Sequence, residues 1–155
     1  MRAYGLGSKT GIQVGVDEDP GLVPDAAWKR EVLGEPWYLG DTINASIGQG
    51  NVLATPLQIT VMFAVVANGG DLVPPYFVMD EEDKRQQRVS LGMQPSTIKV
   101  LQEGQRQVIT NGTGGAVDAP KLPPIAGKSG TAEAPPRENH TWFGAYAPFE
   151  SPEVL

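Results

Sequence analysis

Proline and glycine break this chain so often that only two windows are long and apolar enough to hold a helix of three turns or more. With 19 glycines and 14 prolines in 155 residues, the load exceeds that of an ordinary globular chain yet stays below the low-complexity range. The expected product is rich in turns and loops. The first window opens at Thr55-Pro56, a capping hydroxyl followed by proline at the first helical position, and runs to about Ala67. Leu57, Ile59, Val61, Met62, Phe63, Val65 and Val66 make it apolar nearly all round, which predicts burial. Asn68-Gly69-Gly70 ends it with residues that accept the left-handed conformation. The second window opens at Pro95-Ser96 and reaches about Thr110, with Ile98, Leu101, Val108 and Ile109 on its inner side and Gly104 at a close approach. Asn111-Gly112-Thr113-Gly114-Gly115 stops it.

Between these windows the signals are shorter. Ile12, Val14 and Val16 alternate as a strand, and Asp19-Pro20-Gly21 turns the chain. Leu22 to Asp41 reads as loop with at most a helical turn, its Trp28, Trp37 and Tyr38 acting as anchors that pin the loop to the core. Ser46 to Gly50 reads as a glycine-spaced loop, and Asp80 to Arg85 as a solvated charged turn.

Residues 123–148, PPIAGKSGTAEAPPRENHTWFGAYAP, predict an antiparallel hairpin whose first strand has been stripped of bulk. Alternation along that strand puts the hydroxyls of Ser129 and Thr131 on one side, where both can grip one anion, while Lys128 starts from the other. Gly130 lets an extended peptide lie along the strand edge and pair with its backbone. The Lys128 charge is worth about 1 kcal/mol against an anion at 4 Å in water and about 4 kcal/mol at an effective dielectric near 20, so it counts only in a partly closed cleft. A solvated edge strand whose lysine discourages aggregation fits the same four residues. A phosphate loop does not, because Leu122 stands where its first glycine belongs and Pro135 and Pro136 deny the helix that must follow.

The chain is long enough for one domain with a real core. A net charge of −6 without a basic run disfavours nucleic acid, and the lack of cysteine excludes disulfides and thiolate metal sites. No metal and no cofactor is called for. No apolar run reaches the 18 or so residues of a membrane span.

AGKSGTAE followed by HTWFGAYAP resembles the third conserved motif, Lys-Ser/Thr-Gly, and the next strand of the penicillin-binding protein transpeptidases. YGLGSKTGI (4–12), DTINASIGQG (41–50), ATPLQI (54–59), ANGG (67–70) and NGTGG (111–115) resemble, in order, stretches of class B enzymes of the elongation type. The resemblance implies an α+β fold: part of a penicillin-binding protein/serine β-lactamase-like domain, an antiparallel sheet packed with helices. It also implies that residues 1–155 are the C-terminal portion of a single transpeptidase domain, truncated at both ends.

The implied activity is serine acyl transfer, cross-linking peptidoglycan stem peptides that end in D-Ala-D-Ala and acylated by β-lactam antibiotics. Alternatives are a D,D-carboxypeptidase or β-lactam sensor of the same fold, or a non-catalytic interaction module. Lys128 would supply charge beside nucleophile and carboxylate, Ser129 and Thr131 would hydrogen-bond the carboxylate beside Gly130, and the Thr131 N–H would be one oxyanion donor. Partners would include cell-elongation complex proteins at the periplasmic face of the cytoplasmic membrane, through an anchor absent from this chain. His140 stands where relatives often carry an aspartate-histidine pair, and with Asn139 before it a solvated or loop-packing role is expected. Ser96-Thr97-Ile98-Lys99 matches the family's Ser-x-x-Lys in composition, but the family places that motif far upstream of Lys-Ser/Thr-Gly, and Ser/Tyr-x-Asn is absent from the chain. The chain alone is therefore expected to be inactive. Intact-mass spectrometry after incubation with benzylpenicillin should show no adduct, whereas a stoichiometric adduct on Ser96 would overturn that assignment.

Overall fold

The computed structural model describes residues 1–12, 15, 17–77, 87–134 and 136–155. Val14 and Val16 of the first expected strand, and the Asp80 to Arg85 turn, lie outside the described residues. After a 3-10 turn at Arg2–Tyr4, the first helix starts where the Asp25 carboxylate accepts the N–H groups of Ala27 and Trp28. This helix, α1 (Ala26–Trp28), widens into a π-turn over Lys29–Leu33 and stops at Gly34 in the left-handed region. A second, α2 (Leu39–Ser46), begins where the Asp41 carboxylate accepts the Tyr38 N–H at 2.7 Å. These helices correct the expectation of a loop from Leu22 to Asp41, and Ser46 ends α2 instead of opening a glycine-spaced loop. Two aspartate caps amid prolines start these helices, and the apolar side chains of α2, Leu39 and Ile43, stay exposed, so neither helix carries the signature of one that packs on a core.

The aromatics of this region share little of the core. Trp28 and Trp37 are half-buried, Trp37 donating its indole N–H to Thr42 Oγ1 at 2.8 Å. Tyr38 is not an anchor. It is 56% exposed, with its ring 4.6 Å from the Lys29 ammonium.

The central helix, α3 (Pro56–Ala67), carries a reciprocal cap: Thr55 Oγ1 accepts from the Gln58 N–H, and Gln58 Oε1 accepts from the Thr55 N–H. Val61, Phe63, Val65, Val66 and Ala67 are buried, as the all-round apolar pattern requires. Gln58 is buried too, and its Nε2 donates to the carbonyls of Ser8 and Pro20, each at 2.8 Å. One amide thus ties three segments together. At the far end Gly69 and Gly70 take positive φ, while Asn68 keeps a negative φ of −90° and works through its side chain, whose Oδ1 accepts from the N–H groups of Gly70 and Asp71. Strands β1 (Asp71–Leu72) and β2 (Val89–Ser90) then pair antiparallel. They are too short for a period to register.

The long helix α4 spans Pro95–Thr110 with proline at its start. Ile98 and Ile109 are buried, but Leu101 is 40% exposed and nothing lies within 4 Å of a Cβ built on Gly104. Both departures have one cause: the inner stripe is partly polar. Gln102 Nε2 donates to the Val66 carbonyl and Arg106 Nη1 to the Ile125 carbonyl, so an apolar count alone sets the wrong phase.

Strands β3 (Ala126–Ala132) and β4 (His140–Tyr146) form the expected hairpin in full register, Ala126 opposite Tyr146 and Ala132 opposite His140. Ala67, Ala126 and Tyr146 pack as a buried cluster with Phe149 against it, and burial pushes the Tyr146 hydroxyl pKa up to about 12. Helices against small antiparallel sheets make the arrangement α+β, as expected. Among the described residues no helix is long and apolar enough to cross a membrane. Replacing Gln58→Ala should strand the Ser8 and Pro20 carbonyls and the Thr55 N–H, lowering stability by about 3 kcal/mol. Urea unfolding followed by circular dichroism measures this, and a loss below about 0.5 kcal/mol would refute the tie.

Candidate functional site

Lys128, Ser129, Gly130 and Thr131 occupy consecutive positions on β3, opposite Gly144, Phe143, Trp142 and Thr141. Ser129 and Thr131 therefore share one face and Lys128 lies on the other. Among the described residues β3 pairs only with β4, so its second edge is open. The Lys128 ammonium folds onto the Ser129 carbonyl at 2.6 Å, and Gln49 Nε2 donates to the Thr131 carbonyl at 3.0 Å. In an antiparallel ladder a residue's N–H and C=O point to the same side, alternating along the strand. Since side chains take the carbonyls of Ser129 and Thr131, this is the outward set, and the N–H groups of both residues share the open edge.

Two loops reach this strand. Below α2, Gln49 sits between Gly48 and Gly50, both at φ 74°, and its own N–H donates to the Asn44 carbonyl at 2.9 Å. Beyond α4, Thr113 Oγ1 lies 2.8 Å from Ser129 Oγ. The flanking glycines make that reach possible. A Cβ on Gly112 would stand 2.9 Å from the Val108 carbonyl oxygen, and one on Gly114 would stand 2.7 Å from Ile109 Cδ1. Within β3 the sterically required glycine is Gly127, whose Cβ would meet the Gly144 carbonyl oxygen at 2.7 Å, whereas Gly130 has only ordinary contact with Trp142.

Lys128, Ser129, Gly130 and Thr131 are thus brought together, with Ser129 half-buried and the other three exposed. Gln49 and Thr113 were missed by sequence reasoning, although each is a polar residue between glycines in a stretch already singled out. His140 is exposed at the start of β4. Ser96 sits at the first turn of α4, and Lys99 points to Glu103 at 3.7 Å in an exposed pair. A 16-residue helix, about 24 Å long, separates that turn from the Thr113 loop. Among the described residues no three His, Asp or Glu side chains converge to hold a metal ion.

The Gln49 loop hangs from α2, which is fastened by an ion pair between the buried Lys29 and the half-buried Asp41. Lys29 Nζ lies 2.7 Å from Asp41 Oδ2 and 3.5 Å from Glu35. Its bond to Asp41 holds the Lys29 ammonium above its ordinary value despite burial, and the same bond, with the Tyr38 N–H, holds Asp41 below its own.

The family model described as penicillin binding protein transpeptidase domain matches residues 1–155. Peptidoglycan D,D-transpeptidase MrdA of Acinetobacter baumannii is 33% identical, the match covering 99% of this chain and 26% of that protein. The Haemophilus influenzae MrdA is 32% identical, with 100% and 28% covered. Among solved structures, the complex of penicillin-binding protein 2 with MreC from Helicobacter pylori superposes with a TM-score of 0.85 at 32% identity, covering 97% of this chain and 28% of that one. Pseudomonas aeruginosa penicillin-binding protein 2 in complex with WCK 5153 gives 0.80 at 32% identity, covering 98% and 36%. The chain spans about a quarter of the curated relatives' length.

The fastening of α2 makes stability pH-dependent with a definite sign. Asp41 titrates lower in the folded than in the unfolded chain, so its contribution is complete above its ordinary value of 3.8 and fades as pH falls through the folded value. Lys29, raised from 10.5, contributes fully below that value and loses its contribution as pH rises through the folded one. Asp41→Asn should therefore be less stable than the parent at neutral pH and lose less on acidification. Thermal melts from pH 7 to pH 2.5 measure both, and parallel acid limbs would rule the pair out.

Proposed function

The chain belongs to the penicillin-binding protein transpeptidase family, and from that premise we propose that the open edge of β3 is one wall of a peptidoglycan D,D-transpeptidase site. The observation that carries the reading is the phase of the ladder, which turns the Ser129 and Thr131 N–H groups to the unpaired edge beside two hydroxyls and an ammonium.

In this reading the substrate is a stem peptide ending in D-Ala-D-Ala, lying antiparallel along β3 by strand addition. Its terminal carboxylate accepts from the hydroxyls of Ser129 and Thr131, with the Lys128 charge close by. A serine hydroxyl attacks the penultimate carbonyl, and the developing oxyanion accepts from the Thr131 N–H. The C–N bond to the last D-alanine then breaks, and the departing amine takes up a proton. An acceptor amine from a second stem peptide attacks the resulting ester, forms the new amide and releases the serine. A β-lactam follows the first half of this course, its ring C–N bond opening while the acyl group stays on the serine. Loss of one oxyanion donor costs about 10² to 10³ in rate, which makes the backbone at Thr131 more consequential than its side chain.

The nucleophile and its activating lysine come from outside residues 1–155 in this account, which fits the exposure of Ser96 and Lys99 a helix length from Thr113. We assign the parent protein to cell-wall elongation at the periplasmic face of the cytoplasmic membrane, with β-lactams as inhibitors and an elongation-complex protein as partner. The MreC complex of the Helicobacter pylori relative supports that setting.

Lys128→Ala in the full gene product that carries residues 1–155 should abolish covalent labelling by fluorescent penicillin while leaving circular dichroism and melting temperature in place. Labelling at the parental rate would remove Lys128 from the site.

A further inference from the structure

We propose that Thr113 is a positioning residue for the carboxylate site, holding the Ser129 hydroxyl so that its proton is aimed at the bound carboxylate. The inference rests on the transpeptidase reading of the β3 edge and adds a residue to it from a different loop.

The two hydroxyl oxygens are 2.8 Å apart, so one proton lies between them and either residue can donate it. An ionised carboxylate only accepts. When one is bound, Ser129 must give it its proton, and Thr113 must then donate to Ser129. The result is a relay of hydrogen bonds, Thr113 to Ser129 to carboxylate, in which each bond polarises the next. Serine needs such help. Without a branch at Cβ its side chain has three staggered positions open, and the bond from Thr113 selects one before the ligand arrives.

The loop is shaped for this reach. Gly114 is buried, donates its N–H to the Val108 carbonyl at 2.9 Å, and leaves no room for a Cβ beside Ile109. A Cβ on Gly112 would likewise crowd Val108, 2.9 Å from its carbonyl oxygen. The chain therefore folds back on the last turn of α4 and lifts Thr113 toward β3. One turn earlier Thr110 returns its hydroxyl to its own helix, 3.4 Å from the Arg106 carbonyl, whereas Thr113 makes its bond 16 residues away.

The test compares second-order acylation rates with benzylpenicillin and with benzylpenicillin methyl ester, which lacks the carboxylate charge, in the full gene product carrying residues 1–155. Thr113→Val should slow acylation by benzylpenicillin about tenfold through weaker initial binding, the size expected for one hydrogen bond serving a charged group. The ester rate should stay within about twofold, and Thr113→Ser should restore the parental rate with benzylpenicillin to the same margin. If Thr113→Val does not keep the parental melting temperature, Thr113→Ala takes its place. Equal slowing with both ligands would reduce Thr113 to a loop-packing role, and no slowing would remove it from the site; either result overturns the proposal. A parent protein that neither ligand acylates would instead overturn the transpeptidase reading, and the positioning role with it.

Discussion

The ring of Phe63 lies where the side chain of residue 144 would be. A Cβ on Gly144 would stand 2.5 Å from that ring, so α3 can seat against β4 only because the position is glycine. The constraint propagates. α3 is apolar on nearly every side and must be covered, β4 covers it, and β3 is held to β4 through seven paired residues from Ala126 to Ala132. Lys128 lies directly opposite Gly144 in that register. The height of the proposed site above the core is thus set by a contact that involves none of its residues.

Hydrogen bonds fix what packing leaves loose. Gln58 joins the start of α3 to the carbonyls of Ser8 and Pro20, Gln102 joins α4 to the end of α3, and Arg106 joins α4 to the residue just before β3. Each is a long polar side chain turned inward to satisfy backbone carbonyls that would otherwise be costly to bury. The strand supplies rigid spacing for Ser129 and Thr131, while glycine-flanked Gln49 and Thr113 are brought to it by loops. A rigid element and adaptable loops divide the work, as at many binding sites built on a scaffold.

The strongest local signals in the sequence were the ones that proved accurate. Thr55 caps α3 within one turn, Pro56 and Pro95 stand first in their helices, and both helices begin where those residues place them. The 126–132 and 140–146 hairpin was readable from small polar alternation followed by an aromatic strand. What could not be read depends on partners distant in sequence. Leu101 looks like an inward residue until Gln102 and Arg106 are seen to occupy the inner stripe. α2 exposes Leu39 and Ile43, with Ile47 exposed just past its end, and it is held by an aspartate cap and a buried lysine that no periodicity records. Gln49 and Thr113 reveal their bonds only once β3 is in place, because the sequence shows a loop's flexibility but not its target.

The two loop contacts at β3 close chain segments of very different length: Thr113 and Ser129 are 16 residues apart, Gln49 and Thr131 are 82 apart. Ring closure in a flexible chain costs free energy as the logarithm of its length, which makes the longer closure dearer by about 1.4 kcal/mol. The two sides of the strand therefore differ in when they form and in how readily they open. The hydroxyl pair belongs to a neighbourhood that the α4–β3 segment can assemble early, whereas the Gln49 amide arrives only after the first third of the chain has docked. A fluctuation that loosens α2 would uncover the Thr131 carbonyl while Ser129 stays held.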